Sequence, residues 1–250
     1  MVHHQYGWKQ EMVGGHSCDL FLPQKPNPHQ FLLVYLHGMH LRKLEDQTKF
    51  TALFEQNGLP VVAPVTQKSW WTDRICPEFD HVMTAERYLL DHILPFIERQ
   101  FQSSPPRIGL LGTSMGGQGA LRFAYKYPDL FPVSAAISPA VDYQIRYRNG
   151  DPMIRAMYPS EEAARQDTAT LHIHPLNWPR HQFFCCDPTD ESWIESSERL
   201  RMKLSSLGIP HDCDLETTGG GHSFQYYNLM AEQAVRFLVE NLERERMRLI

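Results

Sequence analysis

Ile108-Gly109-Leu110-Leu111-Gly112-Thr113-Ser114-Met115-Gly116-Gly117 runs from apolar residues into the pattern Gly-x-Ser-x-Gly and on into a helical repeat. At ordinary glycine and serine usage, roughly one random chain of this length in ten carries that pattern by chance, so its setting matters more than its letters. The setting is strand, tight turn, helix, which is the frame of a nucleophile elbow. Such a turn lifts Ser114 to the end of its strand, and only residues without a side chain fit beside it, hence Gly112 and Gly116.

Outward from the elbow, strand-like and helix-like segments alternate. Short apolar or β-branched runs at 18–22, 31–36, 59–65, 107–111, 133–137, 181–186 and 212–217 read as strands. The periodicity predicts helices over 45–57, 79–101 (with Val82 on the apolar face and a bend at Pro95), 116–127, 194–207 and 224–246. Near-continuous apolar strands such as Phe31 to Leu36 are typical of strands buried on both faces. The expected fold class is therefore α/β, a mostly parallel central sheet with helices on both faces. Residues 143–180 break the rhythm with Tyr, Arg, Pro and Trp, and carry at most one helix, at about 160–168 and entered at Ser160. An insertion there is either a lid over the site or an inert excursion.

The bulk numbers fit one domain over residues 1–250. With 24 Lys and Arg against 29 Asp and Glu, the net charge of -5 argues against nucleic acid as a partner. No run of 18 apolar residues predicts a membrane span, and residues 1–8 show no basic, apolar leader pattern. Five scattered cysteines suit reduced thiols in the cytoplasm better than a disulfide framework. The pairs His37/His40 and His172/His174 lack accompanying Cys or carboxylate clusters, so no metal site is expected. Oligomeric state is not encoded in any of these features.

A serine hydroxyl needs a base to take its proton, and histidine is the usual one near neutrality. In a parallel sheet the site forms at the carboxyl ends of the strands. His211 precedes the 212–217 strand and falls at the wrong end, whereas His222 follows it through three glycines and falls beside Ser114. An acid should orient the histidine, and it should come from the loop after the 181–186 strand. Asp190 is the first choice, with Asp187 and Glu191 as alternatives. Asp187 sits closest to the strand end but suits a turn cap, and Ser192 to Glu195 has capping-box spacing for the next helix. A developing oxyanion needs N–H donors. Met115 supplies one, and the loop His37-Gly38-Met39 supplies the other through Met39, with Gly38 permitting the turn and His37 either orienting the loop or simply packing. Trp70 and Trp71 stand at another strand end, as walls of a substrate pocket or as core plugs. Arg146, Arg148 and Arg155 read as a solvated charged surface.

The elbow Gly-Thr-Ser-Met-Gly-Gly-Gln-Gly-Ala-Leu, Tyr-Leu-His-Gly-Met before it and Gly-Gly-Gly-His-Ser near the end resemble the esterase D family, which takes in S-formylglutathione hydrolases, feruloyl-type esterases and mycolyltransferase-like proteins. The resemblance spans most of residues 30–245 and is weak at 143–180. It implies an α/β-hydrolase fold and a Ser-Asp-His triad at Ser114, Asp190 and His222, acting on small-molecule carboxylic or thiol esters without a cofactor. Oxyanion donors map to Met39 and Met115. Met39-His40-Leu41-Arg42 replaces the Thr-Cys-containing loop of the S-formylglutathione hydrolases and favours the general esterase branch. Acyl transfer on the same triad, or a non-catalytic binding protein on the same fold, are the alternatives.

Overall fold

The computed structural model describes residues 6–248; the first five residues of the leader reading lie outside them. Eight strands form one sheet in the order β1-β2-β4-β3-β5-β6-β7-β8. They are β1 (Gly7–Val13), β2 (His16–Leu22), β3 (Leu32–Leu36), β4 (Val61–Pro64), β5 (Ile108–Thr113), β6 (Val133–Ile137), β7 (His181–Cys185) and β8 (Asp212–Asp214). From β4 to β8 all neighbours are parallel, while β1 and β2 add an antiparallel edge. Nine α-helices accompany them among the described residues: α1 (Thr48–Gln56), α2 (Ala85–Tyr88), α3 (Leu94–Phe101), α4 (Met115–Lys126), α5 (Gln144–Arg148), α6 (Pro152–Met157), α7 (Glu161–Gln166), α8 (Ile194–Ser206) and α9 (Phe224–Arg248). This is the α/β-hydrolase arrangement.

Alternation along each strand divides the core in two. Leu32, Val34 and Leu36 face a cluster shared with Tyr88, Ile93 and Phe123, whereas Leu33 and Tyr35 face one shared with Phe50 and Phe54 of α1 and Ala234, Leu238 and Leu242 of α9. Each buried aliphatic side chain of this kind contributes about 1.5–3 kcal/mol. The chain passes from β3 outward to β4 and then back across to β5, so the switch in winding direction lies between β3 and β5. Their carboxyl ends, residues 37–42 and Ser114, flank the crevice where open α/β sheets take ligands.

Several expectations are corrected. Strand β1 went unread: its edge position leaves Met12 69% exposed, so its apolar pattern is faint. The available signal was Gly14-Gly15, whose φ of 56° and 87° builds the two-residue hairpin turn that matches strand twist. The helix expected from Phe79 begins only at Ala85, because Asp80 Oδ1 accepts the N–H groups of Val82 and Met83 and Thr84 Oγ1 accepts that of Arg87. Val82 is consequently in a turn and 88% exposed. The distortion near Pro95 takes the form of a π-helical turn at Leu89–Ile93, where proline removes the regular donor. Strand β8 stops at Asp214, whose carboxylate accepts the N–H groups of Glu216 and Thr217 and turns the chain.

The 143–180 segment holds α5, α6 and α7 with a 3-10 turn at Ala169–His172, more helix than expected. Asp151 caps α6 and Ser160 caps α7. The segment is bolted to the sheet layer by charge: Arg122 of α4, 1% exposed, pairs with Asp167 and with Glu86. Tyr158 donates to Asp167 Oδ2 at 2.7 Å. Against the cost of burial, hydrogen bonds from His172 and Tyr158 and the Arg122 charge hold Asp167 ionised well below the usual carboxylate range.

The elbow tolerates nothing larger than glycine. A Cβ at Gly116 would lie 1.8 Å from Leu36 O, and one at Gly112 would lie 2.0 Å from Gly116 O. Both obstacles are backbone, so neither can rotate away. Gly116→Ala is expected to abolish accumulation of folded protein, read by soluble yield and circular dichroism. A variant with wild-type melting behaviour would contradict this close approach.

Candidate active site

Ser114 joins β5 to α4 with φ 56° and ψ -121°, a conformation costing a non-glycine residue about 1–3 kcal/mol. Main-chain bonds hold it there: Ser114 N–H donates to Ile137 O at 3.0 Å, and Ser114 O accepts from Gln118 N–H at 3.1 Å and Ala140 N–H at 3.0 Å. The hydroxyl is thereby lifted off the strand, with Oγ 2.7 Å from His222 Nε2. On the other side of that ring, Nδ1 lies 2.7 Å from Asp190 Oδ2. The structure therefore brings Ser114, His222 and Asp190 into one line.

Of the three acids left open after β7, Asp190 faces the histidine. Its Oδ1 accepts from Ser192 N–H, and its main-chain carbonyl accepts from Trp193 and Ile194 N–H. The same residue thus starts α8 and meets His222. The Ser192 capping box is not formed; Trp193 is the N-cap residue and has no side-chain bond.

Asp187, fully buried, has a different task. Its Oδ1 accepts the N–H and hydroxyl of Thr189 at 2.8 and 2.7 Å, and its Oδ2 accepts Gly219 and Gly221 N–H at 2.7 and 2.8 Å. Burial opposes ionisation, but these donors outweigh it and bring its pKa down to about 2. Asp187 therefore ties the glycine loop carrying His222 to the loop carrying Asp190. Glu191 is exposed.

Beside Ser114 runs the loop after β3. A Cβ on Gly38 would sit 3.2 Å from Ser114 Cβ, so glycine lets this backbone approach Ser114 closely. His37 Nε2 accepts Thr66 N–H at 3.0 Å, which leaves the ring proton on Nδ1 for donation to Gly38 O at 2.9 Å. Burial lowers the His37 pKa to about 4 and keeps this neutral tautomer. The carbonyl so held shares a planar trans peptide with Met39 N–H, which points the opposite way. The N–H groups of Met39 and Met115 make no hydrogen bond among the described residues. Leu41 N–H closes the turn onto Gly38 O at 3.1 Å.

A cleft of about 470 Å³ opens here, lined by Gly38, Met39, Ser114, His222, Phe224 and Tyr227 among others. Phe224 and Tyr227 were missed in the sequence. They sit one helical turn apart directly after His222, a spacing that puts both on one face of α9. The Tyr227 ring stands edge-on to His222 at 5.7 Å, and burial together with the Asp190 charge pushes its hydroxyl pKa upward. Trp70 and Trp71 are not cleft walls. They are 1% and 0% exposed, Trp71 Nε1 donates to His37 O at 3.1 Å, and Trp70 O accepts from Gln118 Nε2 at 2.8 Å. They are core plugs beneath the loop, consistent with a Cβ on Gly119 falling 2.6 Å from Trp71 Cβ. None of the 143–180 residues lines this cleft; Arg146 borders a separate cavity of about 660 Å³ beside Trp193.

Residues 10–234 match the family model for the esterases. The chain belongs to this esterase family. That agrees with the resemblance carried by the elbow and the Gly-His-Ser motif. Solved structures share the fold at low identity. An S-formylglutathione hydrolase from Agrobacterium tumefaciens has a TM-score of 0.74 at 16% identity, covering 96% of this chain and 98% of its own. The fluorophosphonate-binding serine hydrolase F of Staphylococcus aureus has a TM-score of 0.73 at 16% identity, covering 94% and 98%. A ferulic acid esterase has a TM-score of 0.72 at 16% identity, covering 93% and 97%. No curated protein matches the chain. Among the described residues, no helix of this esterase is long and apolar enough to cross a membrane.

The buried neutral His37 has a signature in pH. Its folded pKa lies below the unfolded value, so the unfolded chain binds the extra proton first and stability falls as pH drops from about 6.5 to about 4. The full shift corresponds to about 3 kcal/mol. Melting temperatures of wild type and His37→Gln should therefore converge as pH falls through this window; parallel curves would contradict the neutral tautomer. For Asp187→Asn, either the two glycine N–H groups or the Thr189 pair face an amide donor. Activity is expected to fall at least about tenfold with a lowered melting temperature, since unpaired buried donors cost about 1–3 kcal/mol each.

Proposed function

We propose that this esterase hydrolyses carboxylic esters, or thiol esters, through an acyl-enzyme on Ser114. The observation that carries the reading is the continuous line of two 2.7 Å contacts from Ser114 Oγ through His222 to Asp190 Oδ2. Ser114 attacks the ester carbonyl carbon as its hydroxyl proton passes to His222 Nε2. Asp190 accepts from Nδ1–H, which selects the tautomer with a free Nε2 lone pair and stabilises the imidazolium. The carbonyl oxygen gains negative charge and is held by the N–H groups of Met39 and Met115. Removing one such donor typically costs about 100- to 1,000-fold in rate.

Collapse of this intermediate breaks the bond to the alcohol, whose oxygen takes the proton from His222. A water then gives a proton to Nε2 and attacks the acyl carbon. Collapse of the second intermediate returns the proton to Ser114 Oγ and frees the acid. Every proton in the cycle is moved by Ser114, His222 and water, so the scheme asks for no cofactor. The strained turn at Ser114 supports it, because the main-chain bonds around that residue hold the hydroxyl in place before substrate arrives. A cytoplasmic setting, expected from five cysteines without a disulfide framework, belongs to the same proposal.

The test is hydrolysis of 4-nitrophenyl esters of rising acyl length by wild type, Ser114→Ala and Asp190→Asn. Ser114→Ala is expected to lower kcat at least about 1,000-fold, and Asp190→Asn by about 1,000- to 10,000-fold, with folding unchanged. A Ser114→Ala variant that kept full activity would overturn the assignment. Acyl-length dependence should peak at chains that a cleft of about 470 Å³ accommodates.

A further inference from the structure

The catalytic cleft carries one permanent charge. Among the residues lining it, from Gly38 to Arg42 on one side and from His222 to Tyr227 on the other, Arg42 is the sole ion that does not depend on pH near neutrality. No aspartate or glutamate lines the cleft; Asp190 lies behind His222 and is 2% exposed.

Arg42 is also uncommitted. It makes no side-chain hydrogen bond or ion pair among the described residues, although Glu45 and Asp46 follow closely in the chain. Its neighbour Lys43 is taken up by Asp19 Oδ1 at 2.7 Å, and Gln10 Nε2 reaches the same oxygen at 3.2 Å. The arginines of the insertion are engaged by other groups, although Arg146 Nε is buried without a hydrogen-bond partner. Arg148 pairs with Glu161 at 2.6 Å, Arg155 donates to Tyr147 O at 3.0 Å, and Arg146 lies over the Trp70 and Trp193 rings at 5.6 and 5.8 Å. Arg146 furthermore shares its cavity with Asp151, Glu191 and Glu195, which disfavour an anion there.

The turn at Gly38–Leu41 gives Arg42 this place. Leu41 has φ 55°, a left-handed conformation that a branched residue adopts only at a cost. The loop thereby doubles back so that residues 38 to 42 all border the cleft. An exposed guanidinium bordering the same cleft as Ser114, in a chain of net charge -5, fits a planar anion through paired N–H donors.

We propose that the esters processed at Ser114 carry a carboxylate, on either the acyl or the alcohol portion, and that Arg42 holds it. This rests on the reading of Ser114 as nucleophile. Arg42 is a specificity-determining residue in this scheme and takes no part in proton transfer. Because its side chain is solvated, its effect is that of a partly exposed ion pair, about fivefold in kcat/KM.

Two pairs of substrates separate the two positions of the anion. The monoester of glutaric acid with 4-nitrophenol is compared with 4-nitrophenyl valerate, and 3-carboxyphenyl acetate with phenyl acetate, at pH 7.5. For at least one pair, Arg42→Gln is expected to lower the acidic-to-neutral ratio of kcat/KM about fivefold, Arg42→Glu to lower it further, and added salt to erode the wild-type ratio. Unchanged ratios in both pairs, or a wild type that cleaves the neutral members and neither acidic one, would overturn the proposal. Ser114→Ala is run alongside. If it stays active on all four esters, the nucleophile assignment fails; if it is silent while the Arg42 ratios do not move, only the role of Arg42 fails.

Discussion

Backbone meets backbone at the crossing of β3 and the start of α4, and the site depends on that contact. Gly116 packs against the Leu36 carbonyl with no room for a methyl group, and Gly112 packs against Gly116 in the same way. The approach sets how sharply the chain leaves β5, and the sharpness gives Ser114 its left-handed conformation. It also brings the loop after β3 against the serine, since Gly38 lies within van der Waals reach of Ser114 Cβ. Strain at Ser114 is sustained by the surrounding ladder: its N–H and carbonyl are bonded to β6, to the loop beyond β6 and to α4.

Buried polar groups then align the loops that deliver the other site residues. Asp187 receives four neutral donors, two of them from the glycine loop before His222. Asp190 divides its carboxylate between the start of α8 and His222. His37 is saturated at both ring nitrogens and fixes the Gly38 carbonyl. In each case the low dielectric of the interior makes a missing partner costly, so these loops have few alternative positions. The Arg122, Glu86 and Asp167 cluster does the same for the 143–180 segment at greater distance from the cleft.

Residues whose role is local were legible in the chain. The Gly-x-Ser-x-Gly turn, the apolar runs of β3 and β6, and the Phe50, Leu53 and Phe54 face of α1 each announce themselves through spacing alone. His222 could be preferred over His211 because strand direction in a parallel sheet assigns one to each end. What escaped depended on partners far along the chain. Trp70 and Trp71 have the same composition whether they wall a cleft or plug a core; Gln118, His37 and Gly119 decide the latter. Residues 79–84 have helical periodicity, but the Asp80 and Thr84 side chains claim the backbone donors. Strand β1 was faint because an edge strand has only one side on which to display a pattern.

By itself the sequence determined the α/β class and the strand-turn-helix elbow, because these follow from periodicity and glycine sterics, which act over a few residues. Only the tertiary structure shows which of Asp187 and Asp190 meets His222. Both follow β7 with the same chemistry, and what separates them is the position of Gly219, Gly221 and His222 some thirty residues later. Only the tertiary structure, likewise, left Arg42 unpaired at the cleft while the arginines of the insertion found partners. Ion pairing depends on which charges packing brings within a few ångströms, and that is a property of the folded chain as a whole.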